Sequence, residues 1–122
     1  MVEIKLKRVY QEPEKTDGYR ILVDRLWPRG LKKENLVYDL WEKNIAPSNE
    51  LREWFHIDPD KRWNIFCEKY RDELDHSPYT EDFINNVKHT TITTLLFSAK
   101  DEKHTHAIIL KSYLNDHLPH HS

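Results

Sequence analysis

The sequence predicts a compact α/β fold built on a mostly parallel β-sheet flanked by helices, on three observations. Tyr19-Arg20-Ile21-Leu22-Val23 and the Leu95-Leu96-Phe97 run within Thr90–Ser98 are short and β-rich, the pattern of strands buried on both faces. Segments between and after them carry apolar residues at helical spacing. The order is strands, helices, strand, helix, which suits a layered α/β sheet with a parallel core.

Along the chain, Ile4 to Val9 sets Ile4 and Leu6 against Lys5 and Lys7, the alternation of a half-exposed strand. Gln11 to Gly18 is a polar loop. The Ile21-Leu22-Val23 strand follows, and Pro28 and Gly30 stop any continuation. Leu31 to Leu36 has the length of one helical turn. Val37 to Ile45 reads as a strand on Val37, Tyr38 and Trp41.

Ser48 is placed to cap a helix with Leu51, Trp54 and Phe55 on one face. Asp58-Pro59 opens a second helix, because a capping acid precedes a proline that needs no donor. Trp63, Phe66, Cys67, Tyr70 and Leu74 draw one apolar stripe on it. Cys67 therefore reads as a core thiol. Pro78 and Thr80 precede a short helix with Phe83, Ile84 and Val87 inward. Asp101 is expected to cap the last helix, whose inner face is Ala107, Leu110, Tyr113 and Leu114.

The chain has 122 residues, enough for one core without a disulfide or structural metal. We expect one domain over residues 1–118 and a tail over 119–122, whose His120 and His121 read as a frayed end. Net charge is −2, so no global basic field points to nucleic acid. One cysteine cannot pair internally, which suits a reducing compartment. The N-terminus lacks an apolar run, and no segment approaches the ~18 apolar residues of a membrane span. These features point to the cytoplasm and away from a membrane. Two glycines leave no Gly-rich phosphate loop.

The candidate chemistry lies after the two buried strands. Asp24-Arg25-x-x-Pro28-Arg29-Gly30 follows the first, and Ser98-Ala99-Lys100-Asp101-x-x-His104-x-His106 the second. In open α/β sheets ligands sit beyond the carboxyl ends of strands. Parallel neighbours would bring both clusters to one crevice. There Arg25 and Arg29 offer planar forks to a phosphate or carboxylate, with Lys100, Ser98 and Asp101 beside them. His104 and His106, expected in the first helical turn, would stay neutral beside the helix dipole. Asp24, His104 and His106 are then the acid–base candidates.

Each has a plainer reading. Asp24 with Arg25 or Arg29 equally makes an ion pair that ties down the loop. Asp101 is first a cap. His104 can be solvated, and His106 can be a satisfied structural histidine. Zinc on Asp24, His104 and His106 is disfavoured, because histidines at i and i+2 point to different sides of a helix. We expect no metal and no cofactor. His56, His76, His89 and His117 read as surface or loop residues. The four tryptophans read as core rather than as a base-stacking platform.

Several strings carry a resemblance. Lys7-Arg8-Val9-Tyr10, Val23-Asp24-Arg25-Leu26-Trp27-Pro28-Arg29-Gly30, Pro47-Ser48-x-x-Leu51-Arg52 and Leu95-Leu96-Phe97-Ser98-Ala99-Lys100-Asp101 resemble the domain-of-unknown-function 488 family, in its short YeaO-like branch. The resemblance spans nearly the whole chain and implies a compact α/β domain. It supplies no activity. Some members carry labels such as methyltransferase or MarR-like regulator, but this chain lacks a Gly-rich methyl-donor loop and a basic recognition helix. Longer relatives hold Cys-His-Arg near the last helix; here the stretch reads Thr105-His106-Ala107, so a thiol mechanism does not carry over.

Two functions follow as expectations. One is an enzyme acting on a phosphate-bearing or other anionic small molecule by acid–base chemistry. The other is a non-catalytic ligand- or protein-binding module using the same crevice. Local nucleic-acid binding is a weaker third.

Overall fold

The computed structural model describes residues 2–119. Four strands, β1 (Glu3–Arg8), β2 (Tyr19–Leu22), β3 (Leu40–Trp41) and β4 (Ile92–Phe97), form one sheet in the order β1-β4-β2-β3. Every pairing is parallel. The helices are α1 (Asn49–Ile57), α2 (Pro59–His76), α3 (Thr80–Lys88) and α4 (His106–His117). The expected parallel α/β sheet is the observed one. Among the described residues, no helix is long and apolar enough to cross a membrane.

The sheet has two unlike faces. Ile4, Ile21, Val23, Leu95 and Phe97 point to one side, as the two-residue period of strands requires. There they meet Leu51 and Phe55 of α1, Phe66, Tyr70 and Leu74 of α2, Phe83 and Val87 of α3, and Ala107, Leu110 and Leu114 of α4. Leu22 and Leu96 point the other way. Among the described residues no helix covers them. Instead the long β2–β3 connection folds over that face, bringing Trp27, Leu31, Leu36 and Tyr38 against them with Trp41. Trp27 sits edge-on to both Tyr38 and Trp41. This explains why the β2 and β4 runs lack alternation: both faces are covered.

The same second face holds a buried ionic group. Asp17 and Arg20 are both 3% exposed and bonded to each other. Lys7 Nζ reaches Asp17 Oδ1 at 2.9 Å, and Thr94 donates to the Asp17 carbonyl at 2.6 Å. Gly18 beside it has φ +65°, and an added Cβ would lie 2.4 Å from the Ile92 carbonyl oxygen.

Three expectations are corrected. Val37–Ile45 yields only the two-residue strand Leu40–Trp41, with a single turn of 3-10 helix at Lys43–Ile45. Val37 is exposed, and Tyr38 packs on Trp27 rather than in the sheet. Asp101 does not cap the last helix. Its carboxylate takes the backbone N–H groups of Lys103 and His104, closing a separate turn. The cap of α4 is Thr105, whose hydroxyl accepts from Ala107 at 3.3 Å. His104 therefore precedes the helix, and His106 is its first residue. The tail expectation bears on His120, His121 and Ser122, which lie outside the described residues.

The starts of α1 and α2 match their sequence signals, whereas α3 begins at Thr80 itself, with no side-chain cap. Ser48 accepts from Leu51 N and also bonds Glu73 of α2 through its own N–H and hydroxyl, at 2.9 and 2.6 Å. Asp58 caps α2 with Pro59 first in the helix. Tyr70, fully buried on α2, donates to the Ile45 carbonyl at 2.7 Å.

Candidate functional site

Strand order explains the site. All strands run the same way, so β1, β4 and β2 end at one edge with β4 in the middle. The residue just past β4 is Ser98, and it links its two neighbours. Its backbone N–H and hydroxyl donate to Asp24 Oδ2, at 2.9 and 2.7 Å. Its carbonyl accepts from Arg8, at the end of β1, at 3.2 Å, and Arg8 Nε also donates to the Ala99 carbonyl at 3.0 Å.

Beyond this edge lies a cleft of about 800 Å³. Asp24, Arg25, Arg29, Ser98, Lys100, His104 and His106 all line it; Asp101 does not. The two polar clusters, far apart in sequence, thus face one space. The volume is within the range of small-molecule pockets.

Asp24 forms no ion pair with Arg25 or Arg29 among the described residues; its carboxylate is held by Ser98, and Trp41 donates to its carbonyl at 2.7 Å. Arg25 instead ties the loop to the approach of α1, donating to the Pro47 and Ala46 carbonyls at 3.1 and 3.0 Å. Arg29 and Lys100 are exposed at the mouth, and neither side chain makes a hydrogen bond among the described residues. His104 Nδ1 lies 2.8 Å from Asp101 and 3.5 Å from Asp60, with its ring edge-on to Trp63.

His106 places Nε2 3.0 Å from the Val23 carbonyl and 3.8 Å from Asp24 Oδ1. Burial holds its pKa below the ordinary histidine value; Asp24 and the Val23 carbonyl oppose that, and His56 adds to it. A neutral ring facing a carbonyl must carry its proton on Nε2. Nδ1 is then the free lone pair, and it makes no hydrogen bond among the described residues. The Asp24 and His106 side chains are 13% and 16% exposed, so both remain reachable from the cleft.

Sequence reasoning did not place Arg8, Tyr10, Arg52 or His56 in the site, yet all line the cleft. Arg8 was findable, since it ends a strand by the same rule that selected Asp24. Tyr10 follows it, half-exposed, with its hydroxyl donating to the Arg29 carbonyl at 2.9 Å. Arg52 carries no local signal; it lies on α1, and its Nε is buried without a hydrogen-bond partner among the described residues. His56 is exposed, as expected, but on α1 at the cleft. Cys67 stands outside the cleft, and burial raises its thiol pKa. Among the described residues, no group of three or more His, Cys, Asp or Glu is placed to hold a metal ion.

Comparison with known proteins supplies the family. Residues 3–122 match a family model described as the inactive DUF488-N3 subclade. The chain belongs to the DUF488 family. It is 43% identical to the uncharacterised protein YeaO of Escherichia coli strain K12 over 113 residues, which is 93% of this chain and 97% of YeaO. It is 34% identical over 112 residues to uncharacterised proteins of Mycobacterium tuberculosis and Mycobacterium bovis, covering 92% of this chain and 93% of each relative. No solved structure matches the chain. Asp24–Arg29 and Ser98–Lys100, within two of the strings that carry the resemblance, line the cleft.

Proposed function

We propose that this chain is a non-catalytic binding domain for a phosphate-bearing or other anionic small molecule, held in the cleft at the ends of β1, β4 and β2. One observation carries the reading: among the described residues, five basic side chains, Arg8, Arg25, Arg29, Arg52 and Lys100, line a cleft whose one acidic side chain is Asp24. The chain as a whole is net negative, so the cleft concentrates positive charge against the average. Such walls focus the field on an anion. Among the described residues the guanidinium groups of Arg29 and Arg52 make no hydrogen bond, and both line the cleft as forks that fit a phosphate.

Binding is favoured over turnover for three reasons. The matching family model is described as inactive. The position resembling the cysteine of longer relatives is Thr105, whose hydroxyl is used as the α4 cap. His106 commits its N–H to a backbone carbonyl, and Asp24 is held by Ser98. A second reading, acid–base catalysis, is favoured by the free Nδ1 of His106 beside Asp24.

Isothermal titration with inorganic phosphate and ribose 5-phosphate tests the proposal. Binding at millimolar or better, weakened at least fivefold by Arg52→Gln, is expected. No heat with either compound, or an Arg52→Gln variant indistinguishable from the parent, overturns it. Turnover of a phosphate ester that is lost in His106→Gln would establish the second reading instead.

A further inference from the structure

We propose that the cleft takes a single 5′-phosphorylated nucleoside, with the phosphate on Arg52 and Arg29 and the base on the ring of Tyr10. This rests on the anion-site reading and deepens it. Bare phosphate would leave most of an 800 Å³ cleft empty, so the ligand has a body as well as a charge.

The wall offers that body a flat partner. Tyr10 is 49% exposed at the cleft. Its ring does not swing freely: the hydroxyl is held by the Arg29 carbonyl at 2.9 Å, and the Arg8 guanidinium lies 5.2 Å from the ring centroid. A ring fixed in place and left half open is a platform for stacking. The bond from Tyr10 also joins the platform to the residue that carries a free guanidinium, so base and phosphate subsites are built on adjoining pieces of chain. Arg52 lines the same cleft, and its Nε is buried without a hydrogen-bond partner among the described residues, so its guanidinium is a charge that an anion at the cleft would offset. Leu26, 61% exposed, adds apolar surface to the same wall.

Titration calorimetry with AMP, ribose 5-phosphate and adenosine separates the claims. AMP is expected to bind about tenfold more tightly than ribose 5-phosphate, the order of one base–aromatic stack. Tyr10→Ala should erase that difference. Tyr10→Phe, which keeps the ring, should retain most of it. If AMP and ribose 5-phosphate bind equally, the nucleoside proposal fails while the anion site stands. If adenosine binds as tightly as AMP, the anion site fails. A dinucleotide that binds more tightly than AMP would overturn the single-nucleotide limit.

Discussion

Ser98 donates twice to one oxygen of Asp24, through its backbone N–H and its hydroxyl, across 74 residues of chain. That pair fixes the loop after β2 to the loop after β4 and sets the floor of the cleft. Ser98→Ala removes the hydroxyl bond and leaves a partly buried carboxylate one donor short. The expected cost is about 1.5 kcal/mol, the low end for a bond to a charged group. Urea unfolding near neutral pH measures it.

Arg25 and Arg29 sit four residues apart and should respond differently to truncation. Arg25 holds two backbone carbonyls at the approach to α1, so Arg25→Ala should lower stability by about 1–3 kcal/mol. Arg29 is exposed and its side chain makes no hydrogen bond, so Arg29→Ala should stay within about 0.5 kcal/mol. Its phosphate affinity should nonetheless fall, as paired thermal melts and titrations would record.

His106 gives a pH signature. Burial holds its folded pKa below that of the unfolded chain. Above about pH 6.5 the ring is neutral in both states and contributes no slope. Below that value the unfolded chain takes up the proton first, so stability falls as pH drops. Unfolding free energies at pH 8, 6.5 and 5 should show this decline in the parent. His106→Gln, which keeps an N–H for the Val23 carbonyl, should flatten it.

Asp17 gives the opposite kind of group. Burial alone would raise its carboxyl, but the Glu14 backbone N–H, Lys7 and Arg20 outweigh burial and hold it below the usual value. Its contribution is complete above about pH 3.9 and is lost on acidification below it. Asp17→Asn leaves the buried Arg20 without its counter-charge and should cost about 3 kcal/mol. The lower end of the range applies because Glu14, at the edge of the group, is largely exposed. Thermal melts at pH 7 measure the loss.

The two glycines separate steric from backbone effects. Both have positive φ, so alanine strains either. At Gly30 an added Cβ meets nothing within 4 Å, and Gly30→Ala should cost about 1 kcal/mol. At Gly18 the Cβ would collide with the Ile92 backbone where β4 begins. Gly18→Ala should therefore cost about 3 kcal/mol, at the top of the range for backbone strain, and slow-exchanging amides in β2 and β4 should report it.

The buried strands and the helices were legible because their signals are local. Asp58-Pro59 opens α2 and Ser48 caps α1 as read. The start of α4 was misplaced because Asp101 does cap, but caps a turn, and the apolar run that needs covering begins only at Ala107. The stretch around Tyr38 carries strand propensity, yet its aromatic side chain packs against Trp27, a contact no local pattern reveals. Within the site, Asp24 and Ser98 follow from the strand-end rule. Arg52 does not, since only the packing of α1 beside the sheet edge brings a helical arginine there.

The connection from β2 to β3 has two duties. It shields Leu22 and Leu96 from water, and it holds Arg25 and Arg29 at the cleft. Lifting it would therefore dismantle the recognition surface and wet one side of the sheet in a single event. Occupancy of the cleft would slow amide exchange at Leu22 and Leu96, on the far side of the sheet from the helices. The molecule would then signal a bound ligand through solvent protection of Leu22 and Leu96, which meet the cleft only through Trp27 of the shared connection.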